Sequence, residues 1–161
     1  MLFNFSKPQK NVNQILKYLL KAPTAVANVR GGEIVGEVKF YQTPYGVVVL
    51  SEINGLPATK TNIFAFHIHE IGECNGDFSS AKNHFNPQNT VHPNHAGDLP
   101  PIFSNDGYAL SAVLTDRFNV SEIIGKSVII HDMPDDFTTQ PSGNSGKRIA
   151  CGVIRSSRWV L

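Results

Sequence analysis

Six histidines, and where they fall, carry the candidate chemistry of this 161-residue chain. His67 and His69 stand one residue apart in the apolar run Ile63-Phe64-Ala65-Phe66-His67-Ile68-His69. His84 opens His-Phe-Asn-Pro, and His92 and His95 precede Asp98 in His-Pro-Asn-His-Ala-Gly-Asp. His131 closes Ser127-Val128-Ile129-Ile130-His131. Imidazole is the commonest metal ligand and suits copper and zinc alike. In a strand the side chains at i and i+2 share a face, so His67 and His69 can reach one ion while Ile68 points away. Any one of these residues, taken alone, reads more simply as a satisfied core or surface histidine. A His-x-His pair in an apolar strand, close to a second cluster, reads as a metal site. His92, His95 and Asp98 offer two nitrogens and a hard carboxylate at three-residue spacing. Zinc prefers four ligands in a tetrahedron, and His84 is the unassigned candidate for the fourth.

The elements that must position these residues are mostly strands. Thr24 to Arg30 leads to Gly31-Gly32, a tight hairpin signal, and Glu33 to Tyr41 alternates at period two. Tyr45 to Ile53, Asn62 to His69, Gly107 to Leu114, Lys126 to Asp132 and Arg148 to Arg155 continue the pattern. Short strands with Gly and Pro turns between them predict an all-β sandwich or barrel. Two stretches, 70–101 and 133–147, read as long loops, and loops of that length in a compact domain are usually functional. Ahead of the strands, Val12, Ile15, Leu16, Leu19 and Leu20 recur at the helical period, with Lys10, Lys17 and Lys21 on the other side. Ser6 with Gln9 resembles a capping box and Pro23 stops the helix. The simplest expectation is an amphipathic helix with its apolar stripe packed on the main domain; a docking helix or a membrane-surface anchor are the sharper readings.

Bulk properties narrow the classes. The length suits one domain, and 41% hydrophobic against 17% charged residues permits a packed core. A net charge of +1 with no dense basic stripe argues against nucleic-acid binding. No apolar stretch approaches a membrane span, and the N-terminus lacks the apolar core of a secretory signal. The expectation is a cytoplasmic protein, or an extracytoplasmic one if the N-terminus is processed. Cys74 and Cys151 permit one disulfide or two buried thiols.

Together, Phe66-His67-Ile68-His69-Glu70, His84-Phe85-Asn86-Pro87, His95-Ala96-Gly97-Asp98-Leu99-Pro100, Asp135-Asp136 and Gly146-Lys147-Arg148-Ile149-Ala150-Cys151-Gly152-Val153-Ile154 resemble the copper/zinc superoxide dismutases, in the family's order. The resemblance runs from about Thr24 to Arg155, which leaves 1–23 as a helical extension, 24–155 as the domain and 156–161 as a tail. It implies an eight-stranded antiparallel Greek-key barrel, a sandwich-type architecture, and copper and zinc as cofactors. It gives His67, His69, His84 and His131 to copper, and His84, His92, His95 and Asp98 to zinc, with His84 as the bridge. It makes Asp135 the carboxylate joining His67 to His92, Arg148 the receiver of the anionic substrate, and Cys74–Cys151 a disulfide. His84 and Arg148 are then the catalytic residues. The His92–His95 spacing is shorter than in animal members, Pro93 lies inside that turn, and Cys74 follows the His-x-His strand closely, as in bacterial members.

What the resemblance implies is dismutation of superoxide to oxygen and hydrogen peroxide by alternate reduction and oxidation of copper, an antioxidant activity. Three rivals are weaker. A non-catalytic copper carrier of this fold would be expected to lack a ligand or the arginine, and a copper-only dismutase would lack His92, His95 and Asp98. A zinc hydrolase would need a general base that His84 and His131 do not leave. A homodimer and a monomer are both compatible with the sequence.

Overall fold

Alternation in sequence becomes alternation in burial. In the computed structural model, which describes residues 11–157, strand β1 (Ala25–Gly31) buries Ala25, Ala27 and Val29 and turns Asn28 and Arg30 to solvent. Gly31 pairs with Ile34 across a two-residue turn. Gly32 holds φ 56° there, a left-handed conformation that costs glycine nothing. β2 (Ile34–Thr43) then pairs with β3 (Gly46–Asn54) through a second two-residue turn. The remaining strands are β4 (Ile63–His69), β5 (Asp98–Phe103), β6 (Ala109–Thr115), β7 (Ser127–His131) and β8 (Arg148–Ser156). All pairings are antiparallel in the order β5-β4-β7-β8-β1-β2-β3-β6, and β5 and β6 lie against each other to nearly close the barrel. Phe40, Phe64, Ile68, Ile102, Ile130 and Ile154 are among the residues that fill its interior.

β4 shows why one strand reads as a continuous apolar run. Phe64, Phe66 and Ile68 face the barrel core, while His67 and His69 on the other face are buried as well. The two long loops cover that outer face. At Ala65 the ladder with β5 is irregular, and the Ala65 N–H donates instead to Met133 O at 2.8 Å. That bond pins the second loop beside His67.

The sequence expectation needs three corrections. The loop from 70 to 101 ends in strand β5, which Pro100 and Pro101 disguise. Proline removes a ladder donor and is tolerated at a sheet edge, where β5 lies. The segment after β6 forms a short helix α2 (Val120–Ile123), entered where Glu122 accepts from the Asn119 N–H at 2.7 Å. The N-terminal helix α1 (Val12–Leu19) is present but does not bury its stripe. Ile15 and Leu19 are half-buried, and α1 lies against β2, but Val12, Leu16 and Leu20 are exposed at 65%, 47% and 88%. Successive residues are about 100° apart around a helix, so seating the Ile15 row leaves the Leu16 row outside. Asn11 caps this helix by accepting from the Asn13 N–H at 2.9 Å; the Ser6–Gln9 capping box lies outside the described residues.

Cys74 and Cys151 form a disulfide that ties the first loop to β8 across 77 residues. Closing a loop of that length removes chain entropy from the unfolded state worth about 4 kcal/mol.

Candidate metal centre

Three elements deliver the histidines to one place. β4 supplies His67 and His69 from its outer face, and β7, paired to β4 in the register His67↔Ile129, supplies His131 at its end. The first loop returns to the same end of β4. There the Phe85 N–H donates to Ile68 O at 2.8 Å, and the Ile68 N–H donates to Gly97 O at 2.9 Å. A Cβ on Gly97 would stand 2.3 Å from Ile68 O, so only glycine lets the chain approach so closely. The loop thus brings in His84, His92, His95 and Asp98.

These residues form two groups that share one member. His67, His69, His84 and His131 offer one ligand atom each within 4.8 Å of one another, and so do His84, His92, His95 and Asp98. All are buried. The His84 ring centroid lies 4.0 Å from that of His67 and 5.6 Å from that of His95. Its Nδ1 is 2.7 Å from Asp98 Oδ1, and its Nε2 is buried without a partner.

Outer acceptors fix the tautomers. Asp135 Oδ2 lies 2.9 Å from His67 Nε2, and Oδ1 lies 2.8 Å from His92 Nε2. The carboxylate accepts, so both Nε2 atoms carry the proton and both Nδ1 atoms are left bare. His69 Nδ1 donates to Lys82 O at 2.8 Å, which leaves Nε2 bare. Each of the six histidines therefore keeps a buried ring nitrogen with no hydrogen-bond partner. Such an orphan costs about 1–3 kcal/mol, and six converging orphans with one carboxylate are what two metal ions would satisfy. The donor set, nitrogen-rich with a single hard oxygen, fits copper and zinc.

Burial sets the protonation states. It pushes His69 down to about 2, His131 to about 3 and His67 to about 4, and it lowers His95 as well. Neutral imidazole is the form that ligates. Asp135 runs the other way: burial alone would raise it, but hydrogen bonds from His67, the Phe137 N–H and His92 hold it at about 2. Gly143 makes this bridge possible. At φ 68° its backbone passes so near that a Cβ would meet Asp135 Oδ1 at 1.9 Å and His92 Nε2 at 2.6 Å.

Arg148 opens β8 opposite His131. Its Nη1 donates to Phe78 O and its Nη2 to Lys82 O, each at 2.6 Å. Lys82 O thus serves both Arg148 and His69. A cleft of about 520 Å³ has His69, His84, His131 and Arg148 among its walls. Lys147 is exposed, and its backbone N–H donates to Asp132.

The model of the copper/zinc superoxide dismutase (SODC) family matches residues 34–154. The chain belongs to the copper/zinc superoxide dismutase family. It is 40% identical to superoxide dismutase [Cu-Zn] 2 of Aquifex aeolicus, over 84% of this chain and 87% of that one. It is 36% identical to superoxide dismutase [Cu-Zn] 1 of the same organism, over 96% and 94%, and 35% identical to the Legionella pneumophila superoxide dismutase [Cu-Zn], over 75% and 78%. As a family member it uses copper and zinc and dismutates superoxide to oxygen and hydrogen peroxide.

Three contributors to this dismutase centre had no sequence signal. Lys82 and Phe78 act through backbone carbonyls. Gln140 donates from Nε2 to His92 O at 2.8 Å and accepts from the His92 N–H at 3.0 Å, across 48 residues. The signal for Gly143 was only a glycine among loop residues.

Proposed function

We propose that His67, His69, His84 and His131 hold copper, that His84, His92, His95 and Asp98 hold zinc, and that Arg148 receives superoxide beside them. The observation that carries this division is His84, the one residue common to both groups. Its Nδ1 is directed at Asp98 and its Nε2 is buried and bare.

Copper, when bound, supplies the one-electron couple that oxidises one superoxide and reduces the next, while zinc supplies fixed charge without redox change. The chain does the rest. Arg148 holds a permanent positive charge at the cleft wall, aimed by the carbonyls of Phe78 and Lys82, and draws a small anion inward. His84 Nε2, buried and without a hydrogen-bond partner, would take up a proton from water and pass it to the reduced substrate, and a second proton from water entering the cleft completes hydrogen peroxide. Asp135 keeps the rings of His67 and His92 turned so that their Nδ1 atoms face inward.

The test is metal content and turnover on the same preparations. His131→Ala should lose copper and keep zinc, and His84→Ala should disturb both. Arg148→Ala should keep both ions and slow dismutation about tenfold or more. Unaltered copper and zinc in both histidine variants would refute the division. For compartment, the disulfide supports an oxidising space, and fractionation of the source cells tests it. A monomer and a homodimer remain the two proposals for assembly, separable by sedimentation.

A further inference from the structure

The short stretch from His92 to Asp98 supplies three of the four residues assigned above to zinc, yet it is too brief to satisfy its own backbone. Inside it, the Asp98 N–H donates to His95 O at 3.2 Å and the His95 N–H to Asp98 Oδ2 at 3.0 Å; Asn94 is tied to Val91 and Thr90, and Gly97 to Ile68 and Phe85. Two side chains from distant segments reach the peptide groups of His92, Pro93, His95 and Asp98. Gln140, from the second loop, closes a two-bond ring with the peptide groups of His92. Arg117, between β6 and α2, sends Nη1 to three carbonyls at once: Pro93 O at 2.9 Å, His95 O at 3.2 Å and Asp98 O at 3.1 Å.

Three carbonyl dipoles converging on one nitrogen repel one another unless a positive donor sits between them. The guanidinium supplies that charge from the outer side of the loop, and the ligand side chains leave from the inner side. Every residue of the loop assigned to zinc therefore has its backbone fixed from outside: His92 by Gln140, His95 and Asp98 by Arg117. Ligand loops bind tightly when their outer contacts hold them in the bound geometry before the ion arrives.

We propose that Arg117 is a positioning residue for the zinc half of the centre, a cationic clamp that sets the His92–Asp98 loop in its ligating shape, with Gln140 of the second loop as its counterpart at His92. Arg117 touches no ligand side chain in this scheme and acts through the loop carbonyls alone. All three contacts come from a single nitrogen, so a lysine, with three donors on one nitrogen, can serve in its place. A neutral residue cannot.

This inference rests on the zinc assignment proposed above, and the experiment separates the two. Zinc affinity of copper-free protein is measured by chelator competition, and cobalt(II) is placed in the zinc group to read its d–d bands. The variants are Arg117→Ala, Arg117→Lys and Asp98→Ala. The expected result is a zinc affinity about 10- to 100-fold weaker in Arg117→Ala, with shifted cobalt bands, and recovery of affinity and bands in Arg117→Lys. Wild-type affinity and wild-type bands in Arg117→Ala would overturn the clamp. So would equal losses in Arg117→Ala and Arg117→Lys that merely track a lower melting temperature of the metal-free protein. If Asp98→Ala leaves zinc binding intact, the zinc assignment itself fails, whatever Arg117 does.

Discussion

One carboxylate, Asp135, holds two imidazoles from different groups, His67 and His92, and burial holds His67, His69 and His131 neutral. That arrangement makes the metal-free protein sensitive to acid. His67, His69 and His131 titrate at about 4, 2 and 3 when folded, against an ordinary 6.5. Between those values and 6.5 the unfolded chain binds more protons than the folded one, so stability rises with pH. The contribution is complete above about 6.5 and is lost progressively as pH falls through the window toward 4 and below. Asp135, depressed to about 2 from 3.8, adds a further loss as pH falls below 3.8. The melting temperature of metal-free protein should therefore drop steadily from pH 7 to pH 4, and a flat profile over that range would contradict the burial account. At this scale the sequence was most legible where the side chain itself carries the chemistry. The six histidines and Asp98 announce themselves by type and spacing, whereas Asp135 and Arg148 were legible only through the family resemblance. Gln140 and Arg117 carry neither signal, because they act on backbone groups far along the chain, and nothing local marks a glutamine or an arginine for that task.

At the scale of elements, the disulfide does more than staple the fold. Cys74 begins the segment whose Phe78 and Lys82 carbonyls aim Arg148, and Cys151 lies three residues beyond Arg148 on β8. Replacing both cysteines by serine should lower unfolding free energy by about 4 kcal/mol in denaturant titrations. It should also reduce turnover per bound copper, because the guanidinium loses its two aiming carbonyls. Unchanged turnover per copper in that variant would detach the disulfide from catalysis. Seven strands could be read from alternation and turn chemistry. β5 could not, because Pro100 and Pro101 signal loop unless the strand is known to lie at an edge, and edge position is a property of the assembled sheet. The helix α1 was legible by its period, but which of its two apolar rows would face β2 depends on how the chain leaves Pro23.

At the scale of the whole molecule, the barrel is joined by hydrogen-bonded ladders through seven strand pairs and lacks one between β5 and β6. Strands β1 and β8 are flanked on both sides, whereas β5 and β6 each have one ladder neighbour. Amide exchange should accordingly be faster in β6 than in β1 and β8, through local opening that leaves the rest folded. Equal protection across all three strands would mean that the molecule opens only as a unit. The same seam bears on how two molecules can meet. An open strand border normally invites a foreign strand to extend the sheet, but Pro100 and Pro101 have no N–H to offer it. A neighbour arriving at β5 meets two consecutive positions without a donor, so a dimer at that border would rest on a fit of side chains more than on a shared sheet.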